Sequence, residues 1–325
     1  MKAVVLRSYG GPEVLTFEDV PSPSYGAEEI LVSVAATALN RADLLQRMGL
    51  YPNPFPLGPE IPGLEYAGTV AAVGSKVTSW KVGDAVMGIT SGGTYAEQLV
   101  VPERQAMAVP AGMAVTDASA IPEVFITAFD ALVVQGGLTS GRWALVHAGA
   151  SGVGTAAIQI CKAIGARIIV TCSAGKVDAC VALGADVVVD YGSHDFVEAV
   201  NTATNGRGVD VVLDVIGGEY VERNVASLAI KGRIIQVGTM AGKPMPFNVG
   251  SLLVKRASIT GTVLRARPIE EKVAITQRFI SEMLPLFDTG ALRPVIDSRY
   301  TLDNIAEAHA FMASNANVGK IVVTI

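Results

Sequence analysis

Residues 147–154 read His147-Ala148-Gly149-Ala150-Ser151-Gly152-Val153-Gly154, HAGASGVG in one-letter code. The stretch follows an apolar run, Trp143-Ala144-Leu145-Val146, and opens a helical pattern. Val153, Ala156, Ala157, Ile160 and Ile164 fall at i, i+3, i+4, i+7 and i+11, one face of a helix. Gly165 stands where a helix ends on a left-handed residue. A glycine turn between a strand and a helix is the setting of a dinucleotide-binding turn. The helix N-terminus there presents free N–H groups and a positive dipole end to a pyrophosphate. Against the spacing G-x-G-x-x-G, the glycines are Gly149, Gly152 and Gly154, and Ser151 replaces the second glycine with a hydroxyl donor. The expected contacts are therefore Gly149, Ser151, Gly152, Val153 and Gly154. A P-loop fails because Thr155 follows Gly154 with no lysine, and a nucleophile elbow fails because position 153 is Val. The bland alternative is a tight strand–helix turn with no ligand.

The surroundings favour the dinucleotide. After residue 122 the pattern alternates: strand 143–148, a helix from 153, strand 167–172, helix 175–183, strand 187–190, helix 195–204, strand 209–214, helix 219–229 and strand 233–238. Strands alternating with helices mean βαβ units and a parallel sheet. Continuous apolar runs such as Val209-Asp210-Val211-Val212-Leu213 suit a sheet covered on both faces. Before this block, residues 1–120 carry short β-type runs punctuated by Gly and Pro: 30–36, 69–74 and 85–89. After it come an apolar run at 258–264, one amphipathic helix over 269–288, another over 303–314 capped by Asp303, and a last strand at 320–325. The fold class is α/β, with a β-rich domain over 1–122 and 266–325 interrupted by a doubly wound Rossmann domain over 123–265.

Composition narrows the function. The chain has 325 residues, half of them hydrophobic, with a net charge of −5. An acidic chain without Lys/Arg runs is not built for nucleic acid or an anionic membrane surface. The N-terminal run Met1–Arg7 is too short for a signal-peptide core or a membrane span and reads as a first strand. Three cysteines, Cys161, Cys172 and Cys180, fit reduced thiols and a cytoplasmic location.

The nucleotide is read from the end of the second Rossmann strand. An NAD site places Asp or Glu there for the ribose 2′-OH. Here the stretch is Thr171-Cys172-Ser173-Ala174-Gly175-Lys176, with no acid. Ser173 and Lys176 can bind a 2′-phosphate, which predicts NADPH over NADH. Tyr191, after the third strand, is placed to lie against the adenine.

With these motifs in place the chain resembles the medium-chain dehydrogenase/reductase superfamily. The segments GLEYAGTV (63–70), VGD (82–84) and HAGASGVG carry the likeness. AATALNRADLLQRMGLYP (35–52), AAIPEVFITAFDAL (119–132) and NVGKIVV (317–323) resemble its zinc-free, zeta-crystallin-like quinone oxidoreductase branch. The likeness runs the full length and implies a GroES-like β-rich catalytic domain around the Rossmann insert.

The departures from the zinc enzymes of that superfamily are specific. Asn40 stands at the first ligand position and Leu64 at the second, and no four-cysteine lobe is present. A leucine cannot ligate and an amide is a poor zinc ligand, so no metal is expected. The resemblance implies Asn40 and Tyr51 as acceptor-side residues, Asn40 donating or holding the nicotinamide ribose and Tyr51 donating through its hydroxyl. It places Thr127 at the nicotinamide, and Gly217, Gly238, Thr239, Met240, Leu264 and Asn317 along the cofactor. Arg41, Asp43 and Glu65 read as braces rather than acid–base groups, and Arg265 and Arg267 stay open between substrate and subunit interface.

The expected function is an NADPH-dependent quinone oxidoreductase. Two alternatives stay open: an enoyl thioester or enone reductase with Tyr51 as proton donor, and a non-catalytic NADPH-binding protein. The run 258–264 would be a sheet edge, and pairing with a second copy would close it, so a homodimer is expected.

Overall fold

The computed structural model describes residues 1–54, 60–242 and 245–325. The chain divides into two compact units: Met1–Ile126 with Leu264–Ile325, and Thr127–Val263.

The second unit is a six-stranded sheet in which every pairing is parallel. In spatial order its strands are Val187–Asp190, Arg167–Cys172, Trp143–Val146, Val209–Asp214, Leu228–Gln236 and Ser258–Gly261. Counted along the chain that order is 3-2-1-4-5-6, the doubly wound arrangement, with its switch point beside Trp143–Val146. Leu145, Ile169, Val212 and Ile234 are fully buried in one cluster with Phe196 and Val225 of the covering helices. Burying such side chains stabilises by roughly 1.5–3 kcal/mol each.

The first unit is built on a seven-stranded sheet. Glu29–Ala38 runs through its centre, paired antiparallel with Glu65–Val73, Gln98–Pro102 and the last strand, Lys320–Thr324. The C-terminal strand thus returns to the sheet of the N-terminal segment. Its register pairs Val322 with Ala38. A separate hairpin joins Lys2–Leu6 and Leu15–Asp19.

Three local expectations need correction. Residues 269–288 form two helices, Ile269–Glu282 and Pro285–Asp288. Pro285 lacks the N–H that would continue the ladder, and the N–H groups of Met283 and Leu284 both turn to the Phe279 carbonyl. Asp303 is not a cap. It lies inside a 3-10 turn, Leu302–Asn304, and the α-helix Ile305–Ala313 starts after it. The span 175–183 begins as a 3-10 turn, Ala174–Lys176, before the helix Val177–Ala182. Among the described residues no helix is long and apolar enough to cross a membrane.

Candidate active site

In the Rossmann unit the helix Gly152–Ala163 starts directly from the glycine turn. Ser151 is its N-cap and accepts from the Gly154 N–H at 3.0 Å. The N–H groups of Gly152 and Val153, in the first turn, have no carbonyl four residues back inside the helix. The turn is tight enough to require glycine. A Cβ on Gly154 would sit 2.3 Å from the Ala148 carbonyl oxygen, and one on Gly149 would sit 2.6 Å from the Val170 Cβ. Both glycines are therefore required by packing of the turn against its own carbonyls and against Val170 of the next strand.

Around this turn the strand ends are locked by a network that sequence reading missed. His147 is buried, with Nδ1 3.0 Å from the Thr171 hydroxyl and Nε2 2.7 Å from Asn224 Oδ1. Asn224 Nδ2 donates to Asp214 Oδ2 at 2.9 Å, which fixes the amide and makes His147 Nε2 the protonated nitrogen. Burial pushes the imidazole down, so it stays neutral. The other Asp214 oxygen accepts from the N–H groups of Ile216 (2.6 Å) and Gly217 (3.0 Å). Met240 N–H donates to the Val215 carbonyl, and Val237 and Gly238 N–H to that of Asp214. Gly217, Gly238, Thr239 and Met240 are brought together this way. Gly218 and Thr239 also line a groove of about 390 Å³ with Met245 and Phe247. The available signal was an acid at a strand end directly before Val215-Ile216-Gly217-Gly218.

At the end of the next strand, Arg167–Cys172, Ser173 stands at the N-cap position of the turn that carries Lys176. Asp190 pairs in register with Cys172, and the Tyr191 N–H donates to the Cys172 carbonyl. Ser173, Lys176 and the exposed Tyr191 therefore share one corner. Asp190 is an acid near that corner, but it is engaged with its own turn, accepting from Gly192 N–H and the Ser193 hydroxyl. Thr127 is buried in the helix Pro122–Phe129.

In the first unit Asn40 begins the helix Arg41–Arg47. Asp43 accepts from the Asn40 backbone N–H at 2.8 Å, within a capping box with Asn40. The Asn40 side chain has further partners. Its amide donates to the Ala38 carbonyl (3.1 Å) and to Glu65 Oε1 (2.9 Å), and its oxygen accepts from Lys320 Nζ at 2.7 Å. Lys320 also donates to the Leu39 carbonyl and pairs with Glu65 at 2.7 Å, its side chain 3% exposed and that of Glu65 0%. Glu65 Oε2 takes the Glu123 N–H at 2.9 Å. The three ammonium hydrogens, both amide hydrogens and both carboxylate oxygens all have partners. Both amide hydrogens of Asn40 are engaged within the protein in this arrangement. The network also accounts for Glu65 as a brace. Lys320 was missed, although a lysine opening the apolar strand Lys320–Thr324 was a visible signal.

Asp43 is part of a second buried chain. Its Oδ2 accepts from the Tyr95 hydroxyl, which lies 3.1 Å from His309 Nε2. Burial pushes the Asp43 carboxyl up to about 6 and His309 down to about 3. Arg41 reaches Asn315 instead. Tyr51 is half-buried, and burial pushes its phenol up to about 12, so it is neutral at physiological pH. Burial and the neighbouring Glu65 raise Glu123 to about 8. Leu264 is buried, and Asn317 Nδ2 turns to the Gly319 carbonyl at 2.8 Å.

The metal position of the zinc dehydrogenases can be tested on these residues. It would hold an amide already bonded to an ammonium, a buried Leu64 and the Lys320 charge itself. A leucine offers no ligand atom and the ammonium repels a cation, so a zinc ion does not fit.

Comparison with known proteins agrees with this architecture. The family described as alcohol dehydrogenase GroES-like domain matches residues 26–111, and that described as zinc-binding dehydrogenase matches 152–281. The synaptic vesicle membrane protein VAT-1 homolog of Rattus norvegicus is 30% identical over 99% of this chain and 84% of its own length. A quinone oxidoreductase of Pseudomonas syringae pv. Tomato DC3000 superposes with a TM-score of 0.90 at 31% identity, covering 100% of this chain and 99% of that one. Escherichia coli quinone oxidoreductase complexed with NADPH gives 0.89 at 29% identity and full coverage of both chains. CurK enoyl reductase gives 0.88 at 28%, over 99% and 98%. With a GroES-like unit, a 3-2-1-4-5-6 sheet and a lysine–asparagine–glutamate network at the metal position, the chain belongs to the zinc-free quinone oxidoreductase branch of the medium-chain dehydrogenase/reductase superfamily.

Proposed function

We propose that the protein is an NADPH-dependent, zinc-independent reductase of quinones that works in the cytoplasm as a homodimer. One observation carries the reading. Where a metal would polarise an alcohol or carbonyl, the protein holds Lys320 against Asn40 and Glu65. Without a Lewis acid the acceptor must be electrophilic by itself, as a quinone or a carbonyl-conjugated alkene is.

The cradle of Gly149, Ser151, Gly152, Val153 and Gly154 suits a pyrophosphate, and Ser173 with Lys176 suits a 2′-phosphate with no acid on the same strand end to repel it. Tyr191 would lie on the adenine. Gly217, Gly238, Thr239 and Met240, with Thr127, Leu264 and Asn317, would follow the cofactor towards the nicotinamide. Bound NADPH supplies a hydride. The chain's own residues exclude water and hold the acceptor. Asn40, committed to its network, positions the segment that leads to Tyr51. The Tyr51 phenol keeps its proton well above neutral pH and can donate it to a developing oxyanion or carbanion.

That last point favours a second reading, reduction of enoyl thioesters or enones, in which the Tyr51 proton completes the reaction. Stopped-flow oxidation of NADPH and NADH, with quinones and crotonyl thioester as acceptors, separates the readings when the Tyr51→Phe variant is included. Fast quinone turnover little changed in the variant supports the first. Thioester turnover that falls 100-fold or so in the variant supports the second. NADPH binding without turnover leaves a binding protein, and a preference for NADH removes the role of Ser173 and Lys176.

The dimer rests on Ser258–Gly261, which among the described residues pairs only with Leu228–Gln236, and on the exposed Leu253 and Val254 of the helix Gly250–Lys255. Light scattering at twice the monomer mass, lost in Leu253→Asp, is the expected outcome.

A further inference from the structure

Arg265 is the second residue of the returning segment Leu264–Ile325. It is 4% exposed although it carries a fixed charge. Its three nitrogens go to three separate stretches of the same unit. Nε donates to the Ser91 carbonyl (2.7 Å), Nη1 to the Tyr51 carbonyl (2.9 Å) and Nη2 to Gln46 Oε1 (2.8 Å). The guanidinium carbon also lies 5.0 Å from the centre of the Tyr51 ring, within cation–π range. The far ends of this fork are fastened in turn. The Ser91 hydroxyl donates to the Arg265 carbonyl at 2.9 Å and accepts from Lys272, and Gln46 Nε2 donates to Glu60 at 2.9 Å.

Tyr51 itself sits in a stretch, 48–54, that belongs to no helix or strand. The N–H groups of Met48, Gly49 and Leu50 bond back to the helix before it, and the Tyr51 carbonyl bonds to Arg265. Arg265 grips the residue twice, at its carbonyl and across its ring face, and ties both to the helix Arg41–Arg47 through Gln46. A planar guanidinium can make three divergent hydrogen bonds and a ring contact at once. A lysine ammonium keeps the charge but cannot reproduce the fork.

We propose that Arg265 is the positioning residue that fixes Tyr51 for the acceptor. The proposal rests on the reading above that Tyr51 faces the acceptor. It assigns Arg265 neither to the substrate nor to the subunit interface.

The test uses the full chain with 3-fluorotyrosine at position 51, observed by ¹⁹F NMR, in the otherwise unchanged protein and in Arg265→Lys and Arg265→Gln. A shifted, broadened resonance should move to the sharp position of an exposed tyrosine in Arg265→Gln, and Arg265→Lys should not restore it. An unmoved resonance in both variants overturns the proposal. Turnover supplies the second readout. With an acceptor whose turnover Tyr51→Phe slows, Arg265→Gln should lower kcat by roughly 10-fold, the effect of about one charge-assisted hydrogen bond, with the KM for NADPH unchanged. In the Tyr51→Ala background the same substitution should cost nothing further. Losses that multiply instead would show that Arg265 acts elsewhere and would also overturn it. Should the unchanged protein reduce no acceptor, the reductase reading fails while the fluorine signal still decides the clamp. Should Arg265→Gln not fold, Arg265→Lys carries both readouts.

Discussion

The glycine turn at 147–154 and the Asn40–Glu65–Lys320 network are two ways of building a site. The turn is local and made of backbone. Its glycines meet their own helix start and Val170 and Thr171 of the next strand, and its chemistry comes from N–H groups at the start of the helix. The network is non-local and made of side chains. Asn40 and Lys320 stand 280 residues apart in the chain. Its charge is internal, and every polar group is already paired. The first presents backbone N–H groups at a helix start; the second pairs its polar groups with one another. The difference predicts opposite failures. Breaking the turn should cost cofactor affinity, and breaking the network should cost the fold.

The largest effect is expected in the network. Lys320→Met leaves the Glu65 carboxylate buried without its cation and the Asn40 oxygen without its donor. Removing one partner of a buried pair costs about 3–5 kcal/mol. Urea unfolding should show that loss, and the double variant Lys320→Met/Glu65→Gln should recover part of it by removing the stranded charge. A loss below about 1 kcal/mol would place the pair in the class of solvent-screened surface bridges and remove the contrast.

Gly154→Ala comes next. The new Cβ would meet the Ala148 carbonyl oxygen at 2.3 Å and the Gly149 carbonyl at 2.5 Å, both backbone atoms that cannot rotate away. Overpacking of this kind costs about 1–3 kcal/mol. Because the strain sits in the cradle, NADPH affinity measured by calorimetry should fall by roughly 10- to 100-fold, as that energy converts to a dissociation constant. Unchanged affinity would mean that the turn is only a strand–helix connection.

The same contrast governs what was legible in the sequence. Strands Arg167–Cys172, Val187–Asp190 and Val209–Asp214 lie where their apolar runs put them, because each run is bounded by its own turn residues. The turn at 147–154 was legible for the same reason. Lys320 was not, because its meaning depends on strand pairing. Val322 opposite Ala38, continued two residues along each strand, sets Lys320 opposite Asn40. Nothing within either segment states that register. The break at Pro285 is a different case. The proline was visible, but the apolar period runs across it and the hydrophobic face suggested one helix. Asp303 looked like a cap because it precedes an apolar run, yet Leu302 is buried and draws the chain into a 3-10 turn first.

The smallest effect tests whether the Ser151 side chain of the turn belongs to the fold or to the ligand. Ser151 Oγ accepts from the Gly154 N–H, which removes that N–H from the set available to a phosphate. The hydroxyl hydrogen remains as a donor, so the serine exchanges one donor for another a short distance away. Ser151→Ala should cost about 1 kcal/mol of stability, the usual value of an N-cap, and free the Gly154 N–H. If the hydroxyl serves the pyrophosphate, affinity for NADPH should fall several-fold despite the freed N–H, and Ser151→Thr should keep both cap and affinity. If affinity rises in Ser151→Ala while stability falls, the serine is a cap alone, and the turn binds by backbone throughout. Either result sharpens the comparison, since it decides whether the turn borrows anything from side chains in the way the network does.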